Sequence, residues 1–86
     1  MELDTFLKGV GQRIETIRQA RGLTRRELGL AIGLGEPSAS AGVYGVEMSG
    51  RATQIDTIFR IAKALDVSPG FLLDGGELTL EKKVAV

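Results

Sequence analysis

Carboxylates, lysines, arginines, hydroxyls and a single tyrosine are the side chains available for chemistry in this sequence, because its 86 residues include neither histidine nor cysteine. The commonest general base and the commonest ligands of transition metals are therefore missing. No pair of the remaining groups stands out as catalytic, and no glycine loop is suited to cradle a phosphate. We expect no enzymatic activity, no metal ion and no cofactor.

Arginines and lysines are concentrated in the middle of the chain, although the net charge is zero. Between Lys8 and Lys63, nine basic residues stand against five acidic ones, a balance of +4, and the two ends carry the compensating −4. A mildly basic body with acidic ends is typical of a weak DNA binder that acts as a dimer. Many solvated helical domains have the same imbalance.

Apolar residues recur at intervals of three and four, which predicts a single all-α domain. The predicted helices cover residues 5–20, 24–32, 38–48 and 55–65, and a short fifth helix holds residues 71–73. Ile55 is expected to face inward from the fourth helix. The core positions predicted by spacing are Ile14, Leu28, Val43, Ile58, Phe59, Ile61, Leu65 and Leu72.

The start of the second helix is the clearest local signal. Thr24 and Glu27 have the spacing of a capping box, in which each side chain bonds the backbone of the other. Gly22 is suited to the left-handed cap that ends the first helix. Two glycines and a proline within residues 33–37 interrupt the pattern, and Leu34 is expected to fill the core beneath this turn.

The two ends of the chain bear on location and assembly. The N-terminus is acidic where a secretion signal would be basic, and no apolar run approaches the roughly 20 residues that cross a bilayer. We therefore expect a cytoplasmic protein that does not enter a membrane. The tail at 75–86 is either a mobile end or a short strand, and an ordered strand would need a partner such as the same strand of a second subunit.

Several segments together resemble the Cro/C1-type (XRE-like) helix-turn-helix regulators over about residues 10–74. The segments are GQRI at 11–14, Ile17-Arg18, GLTRREL at 22–28, Glu47 and IAKALDVS at 61–68. The resemblance implies a five-helix, lambda-repressor-like fold that binds double-stranded DNA. It assigns residues 1–74 to the DNA-binding domain, with the helix-turn-helix unit at 24–47.

The resemblance also implies roles for individual residues. Arg25 and Arg26 open the second helix, where backbone amides and the positive end of the dipole attract anions. They are expected to contact DNA phosphates, as is Arg51 in the loop after the third helix; solvated surface charges are the alternative. The residues expected to face bases are Ser38, Ser40, Ala41, Tyr44 and Gly45.

Arg18 and Glu47 occupy positions that form a partly buried ion pair in the family, tying the first helix to the end of the third. We expect this structural role in preference to a phosphate contact by Arg18. Two features depart from the family: the turn at 34–39 is about four residues longer, and Glu47 is followed by Met-Ser where Arg-Gly is usual. None of the residues expected to face bases has a side chain of the kind that makes bidentate contacts with a base. A purely structural third helix is therefore the alternative to base recognition.

The function expected from these features is sequence-specific regulation of transcription, as a repressor acting as a homodimer. A single recognition helix contacts too few bases for selectivity, which dimers on two half-sites overcome. The dimer contact is expected from the fifth helix and the apolar residues of the tail. The alternative is an antitoxin or another protein-interaction module, whose tail would fold on a different protein such as a toxin.

Overall fold

The computed structural model describes residues 2–51 and 54–76. Within them the chain forms five α-helices, which confirms the predicted all-α, five-helix architecture. None of the described helices is long and apolar enough to cross a membrane. The tail, expected to be either a mobile end or a short strand, lies from residue 77 onward outside the described residues. The helices are α1 (Leu3–Ala20), α2 (Arg25–Ala31), α3 (Ser38–Ser49), α4 (Ile55–Leu65) and α5 (Pro69–Asp74).

Local side chains set where the helices begin and end. The Thr24 hydroxyl accepts from the Glu27 backbone N–H at 3.0 Å, and the Glu27 carboxylate accepts from the Thr24 N–H at 2.8 Å. This capping box confirms the predicted start of α2. Gly22 adopts the predicted left-handed conformation, with φ of 74°. At α5, the Ser68 hydroxyl accepts from the Phe71 N–H at 3.0 Å.

The core is a single apolar cluster to which all five helices contribute. Leu34 packs against it from the turn between α2 and α3, as predicted. A methyl group on Gly42 would lie 2.7 Å from the Leu34 Cδ1 atom, so the missing side chain in the middle of α3 makes room for the residue that anchors the turn. The buried apolar residues are Val10, Ile14, Ile17, Leu28, Ile32, Ala39, Val43, Ile58, Ile61, Ala62, Leu65, Val67 and Leu72.

Two residues of α4 were wrongly predicted to face the core. Phe59 is 54% exposed and Ile55 is 81% exposed. The buried stripe of α4 includes Ile58 and Ile61, and Phe59 lies about 100° around the helix from Ile58. Spacing alone did not distinguish the two faces because both contain large apolar residues. The structure therefore leaves an apolar ridge on the outside of α4.

Glycines allow α1 and α2 to pack closely on α3. A methyl group on Gly11 in α1 would overlap the Glu47 carbonyl oxygen of α3. In the same way, a methyl group on Gly29 in α2 would overlap the Ala39 carbonyl oxygen. Both helices consequently meet α3 with backbone against backbone, which fixes the position of α3 relative to the start of α2.

Candidate nucleic-acid interface

A buried carboxylate holds the end of α3 against α1 and α2. The structure brings Arg18 and Glu47 together: the Arg18 Nε atom donates to Glu47 Oε2 at 2.6 Å, and their side chains are 7% and 0% exposed. Arg18 also donates from Nη1 to the Leu23 carbonyl at 2.8 Å. The second carboxylate oxygen, Oε1, accepts from Arg25 Nε at 2.8 Å. One carboxylate thus joins the ends of three helices.

The participation of Arg25 in this network is a structural role that the sequence did not predict. Its Nη2 atom also contacts Glu15 Oε2 at 3.4 Å. The hydrogen bond with Glu47 is the main cause that raises the pKa of the Arg25 guanidinium above its ordinary value. Its side chain nevertheless remains 31% exposed. Arg25 is therefore held by its bond to the buried Glu47 and is still accessible from solvent.

Arg25 also connects the start of α2 with the outward face of α3. Its guanidinium carbon lies 5.1 Å from the centre of the Tyr44 ring, within the range of a cation–π contact. Tyr44 is 52% exposed. The cation predicted to meet a phosphate and the largest side chain predicted to face bases are therefore direct neighbours on one surface.

Arg26 lies on the outside of the same helix start and pairs with Glu36 from the turn before α3. The two side chains are 60% and 45% exposed. Ion pairs this exposed contribute about 0.2–1 kcal/mol, because water already solvates both charges well. A phosphate can replace Glu36 on Arg26 at small cost.

All the residues predicted to face bases are exposed: Ser38, Ser40, Ala41, Tyr44 and Gly45. Met48, which the sequence analysis did not single out, extends this surface by one turn and is 51% exposed. Its spacing from Ala41 and Tyr44, of seven and four residues, would have placed it on the same face. We call the outward residues Ala41, Tyr44, Gly45 and Met48 the α3 face.

Arg51 follows the glycine that ends α3 and is exposed. Its backbone N–H donates to the Ser49 hydroxyl at 3.1 Å. Its guanidinium forms no ion pair with a carboxylate of residues 2–51 or 54–76. Arg51 thus adds a cation beyond the C-terminal end of α3.

Two other arginines bind the carbonyl ends of helices. Arg13 donates from Nε to the Leu72 carbonyl at 2.9 Å and from Nη2 to the Leu73 carbonyl at 2.7 Å. Arg21 donates from Nε to the Leu65 carbonyl at 2.7 Å. Arg13, Arg18 and Arg21 are thus directed at internal acceptors, and Arg25 is partly so, which makes the basic surface smaller than the charge count indicates. Of the accessible cations, Arg25 contacts the α3 face through Tyr44, and Arg51 follows the end of α3.

Comparison with known proteins identifies a matching family. The family model described as helix-turn-helix matches residues 14–72, which is more than half of the chain and includes every element from the middle of α1 to α5. Searches of curated proteins and of solved structures gave no significant match.

Proposed function

Because the chain belongs to the Cro/C1-type helix-turn-helix family, we propose that it is a sequence-specific transcriptional repressor that binds double-stranded DNA as a homodimer. The proposed DNA-binding domain is residues 1–74, with the helix-turn-helix unit at 24–47. A regulator of this kind represses by occupying a promoter, and we expect it to act in the cytoplasm. In this arrangement α3 is the recognition helix that enters the major groove.

The observation that carries this proposal is the contact between Arg25 and Tyr44, 5.1 Å from guanidinium carbon to ring centre. It joins the positively charged start of α2 to the α3 face in one continuous surface. Arginine side chains bind phosphates through charge-assisted hydrogen bonds. A duplex whose backbone rests on the start of α2 therefore has its major groove at α3.

Arg25, Arg26 and Arg51 are the proposed phosphate contacts. Arg26 exchanges Glu36 for a phosphate, whereas Arg25 keeps its bond to Glu47 and offers its outward N–H groups. Arg51 lies beyond the other end of α3 and can hold the backbone there. The residues proposed to face bases are Ser38, Ser40, Ala41, Tyr44 and Gly45.

Replacing both Arg25 and Arg26 by alanine should weaken binding to every DNA sequence and flatten its dependence on salt. Each lost phosphate contact lowers the slope of log affinity against log salt by about 0.9, so the double variant should lose about 1.8. Fluorescence anisotropy with one labelled duplex, titrated at several salt concentrations, measures this slope.

Lys8→Ala, an exposed cation on α1, is the matched control and should leave the slope unchanged. Because Arg25 also bonds Glu47, circular dichroism should first establish that the double variant is folded. A folded double variant with the wild-type slope would remove both arginines from the interface.

We propose that the contact between the two subunits extends from the expected fifth helix onto the apolar ridge of α4, which lies beside the start of α5. Ile55 and Phe59 lie one helical turn apart and are both largely exposed. The Lys63 Nζ atom lies 5.9 Å from the centre of the Phe59 ring, and a recess lined by Phe59, Lys63 and Pro69 adjoins it. Exposed phenylalanine and isoleucine on one ridge favour contact with another protein surface.

The charges of α4 favour a second copy as that surface. Asp56 lies in the first turn of α4 and Lys63 in the last. If two copies pack antiparallel about an axis between residues 59 and 60, Asp56 of each copy lies beside Lys63 of the other, and the two Phe59 rings meet at the centre. A two-fold contact requires this kind of self-complementary surface.

Phe59→Ser should convert the dimer to a monomer, because it removes the largest apolar group at the proposed axis. Sedimentation equilibrium measures the mass. Leu3→Ser changes another exposed apolar residue, 60% exposed on α1, and should leave the dimer intact. A wild-type monomer, or a Phe59→Ser variant that keeps the dimer mass, would contradict this interface.

A further inference from the structure

The recognition helix proposed above has no charged side chain on its outward surface. Between Ser38 and Ser49 the sequence is SASAGVYGVEMS, and its one carboxylate, Glu47, is 4% exposed and bonded to two arginines. The helix also contains no arginine, lysine, asparagine or glutamine. Any selectivity of α3 for DNA must therefore arise without the bidentate hydrogen bonds that these side chains make to purines.

The major groove offers one apolar group, the C5 methyl of thymine. It distinguishes thymine from the other bases without any hydrogen bond, and small apolar side chains are suited to contact it. The α3 face consists of the methyl group of Ala41, the bare backbone of Gly45, the flexible thioether of Met48 and the Tyr44 ring. Apart from the Tyr44 hydroxyl, these groups match the methyl group better than they match the polar edges of the bases, which the hydroxyls of Ser38 and Ser40 can bond.

The geometry of the α3 face also favours a close approach to the groove floor. A methyl group on Gly45 would meet no atom within 4 Å. The backbone at this position is therefore open to a close approach from outside. Ala41 lies one turn before it and is exposed. Met48, 51% exposed, lies one turn beyond Tyr44 and can adjust its shape, since methionine fills irregular apolar gaps.

The position of Tyr44 is set by residues that do not themselves face the groove. Its ring lies against the Arg25 guanidinium, which is held by the buried carboxylate of Glu47. The ring therefore forms a firm edge on one side of Ala41 and Gly45. A methyl group placed beside these two residues would have the Tyr44 ring on one side.

We propose that α3 selects its DNA sites by contact with the 5-methyl groups of thymine. This inference rests on the proposed function of the same surface, because it requires α3 to enter the major groove. It assigns the methyl contacts to Ala41 and Met48, and to Gly45 the role of letting the helix backbone approach the groove floor.

Two parallel selections from random duplex pools test the proposal. One pool contains thymidine, and the other contains deoxyuridine in its place, which keeps every hydrogen-bonding group and removes only the methyl. The proposal expects enrichment of sites rich in thymine from the first pool and loss of that enrichment from the second. Equal enrichment from both pools would overturn methyl recognition while supporting sequence-specific DNA binding. No enrichment from either pool would contradict both and would favour a protein partner for the α3 face.

Single substitutions in the enriched duplex then locate the contacts. Replacing one contacted thymidine by deoxyuridine should weaken binding about fourfold, as expected for one buried methyl group.

In the Ala41→Gly variant the affinity ratio between the thymidine and deoxyuridine duplexes should approach one at the position that Ala41 contacts. Ser49→Ala, whose hydroxyl bonds the Gly45 carbonyl within the helix, should retain the ratio. Because the ratio compares two duplexes on one protein, a change in protein stability does not alter it. An unchanged ratio in both Ala41→Gly and Met48→Ala would overturn the assignment.

Discussion

Replacing Arg18 by methionine is expected to lower the free energy of unfolding by about 3–5 kcal/mol, the usual cost of removing one partner from a buried ion pair. The Glu47 side chain is fully buried, so the substitution would leave it with only the partly exposed Arg25 as a partner. Domains of this kind have a total stability of about 5–15 kcal/mol. A loss of this size is a large fraction of the total stability, and urea denaturation followed by circular dichroism would measure it.

Arg26→Met is the matched control for this substitution. It breaks the exposed pair with Glu36 and should cost no more than about 1 kcal/mol. Arg18→Met combined with Glu47→Leu should recover most of the lost stability, because apolar residues often replace a buried ion pair without loss. Equal stabilities of Arg18→Met and Arg26→Met would show that the buried pair does not hold the helices together.

Substituting alanine for glycine is expected to have opposite effects at two helical positions. In Gly11→Ala the new methyl group would overlap the Glu47 carbonyl oxygen, and neither backbone can move without separating α1 from α3. We expect a loss of about 3 kcal/mol, the upper part of the usual range for overpacking. Gly45→Ala meets no atom within 4 Å and should gain up to about 1 kcal/mol from its greater helix propensity.

Thermal and urea denaturation of the two variants would measure this contrast in the isolated protein. Gly45→Ala is also informative in a DNA titration, because a more stable protein that binds DNA less tightly would locate Gly45 at the groove. If Gly11→Ala were as stable as the wild type, the close contact of α1 with α3 would be wrong.

Features that depend on neighbouring residues were predictable from the sequence. Thr24 and Glu27 are three residues apart, so their capping box needs only one turn of helix. Gly22 ends α1 through its own backbone conformation. Leu34 was predicted to fill the core because it is the one apolar residue in a polar turn. The five helices follow from the same local spacing and from turn residues between them.

Features that depend on how helices cross were not predictable from spacing. Phe59 and Ile58 are adjacent apolar residues, and only the packing of α4 determines which of them is buried. Arg13 reaches carbonyls of α5 that are 59 and 60 residues away, a contact that leaves no pattern in the sequence. The family resemblance implied a pair between Arg18 and Glu47, but the third member, Arg25, depends on the close packing of α2 on α3.

The most direct test of sequence-specific DNA binding is the selection from a random thymidine-containing duplex pool at a stated salt concentration. The arrangement proposed here predicts enrichment of one sequence in two symmetric copies, with centres about 10 base pairs apart, as a two-fold dimer of helix-turn-helix domains requires. A folded wild-type protein that enriched no sequence would contradict the proposed function.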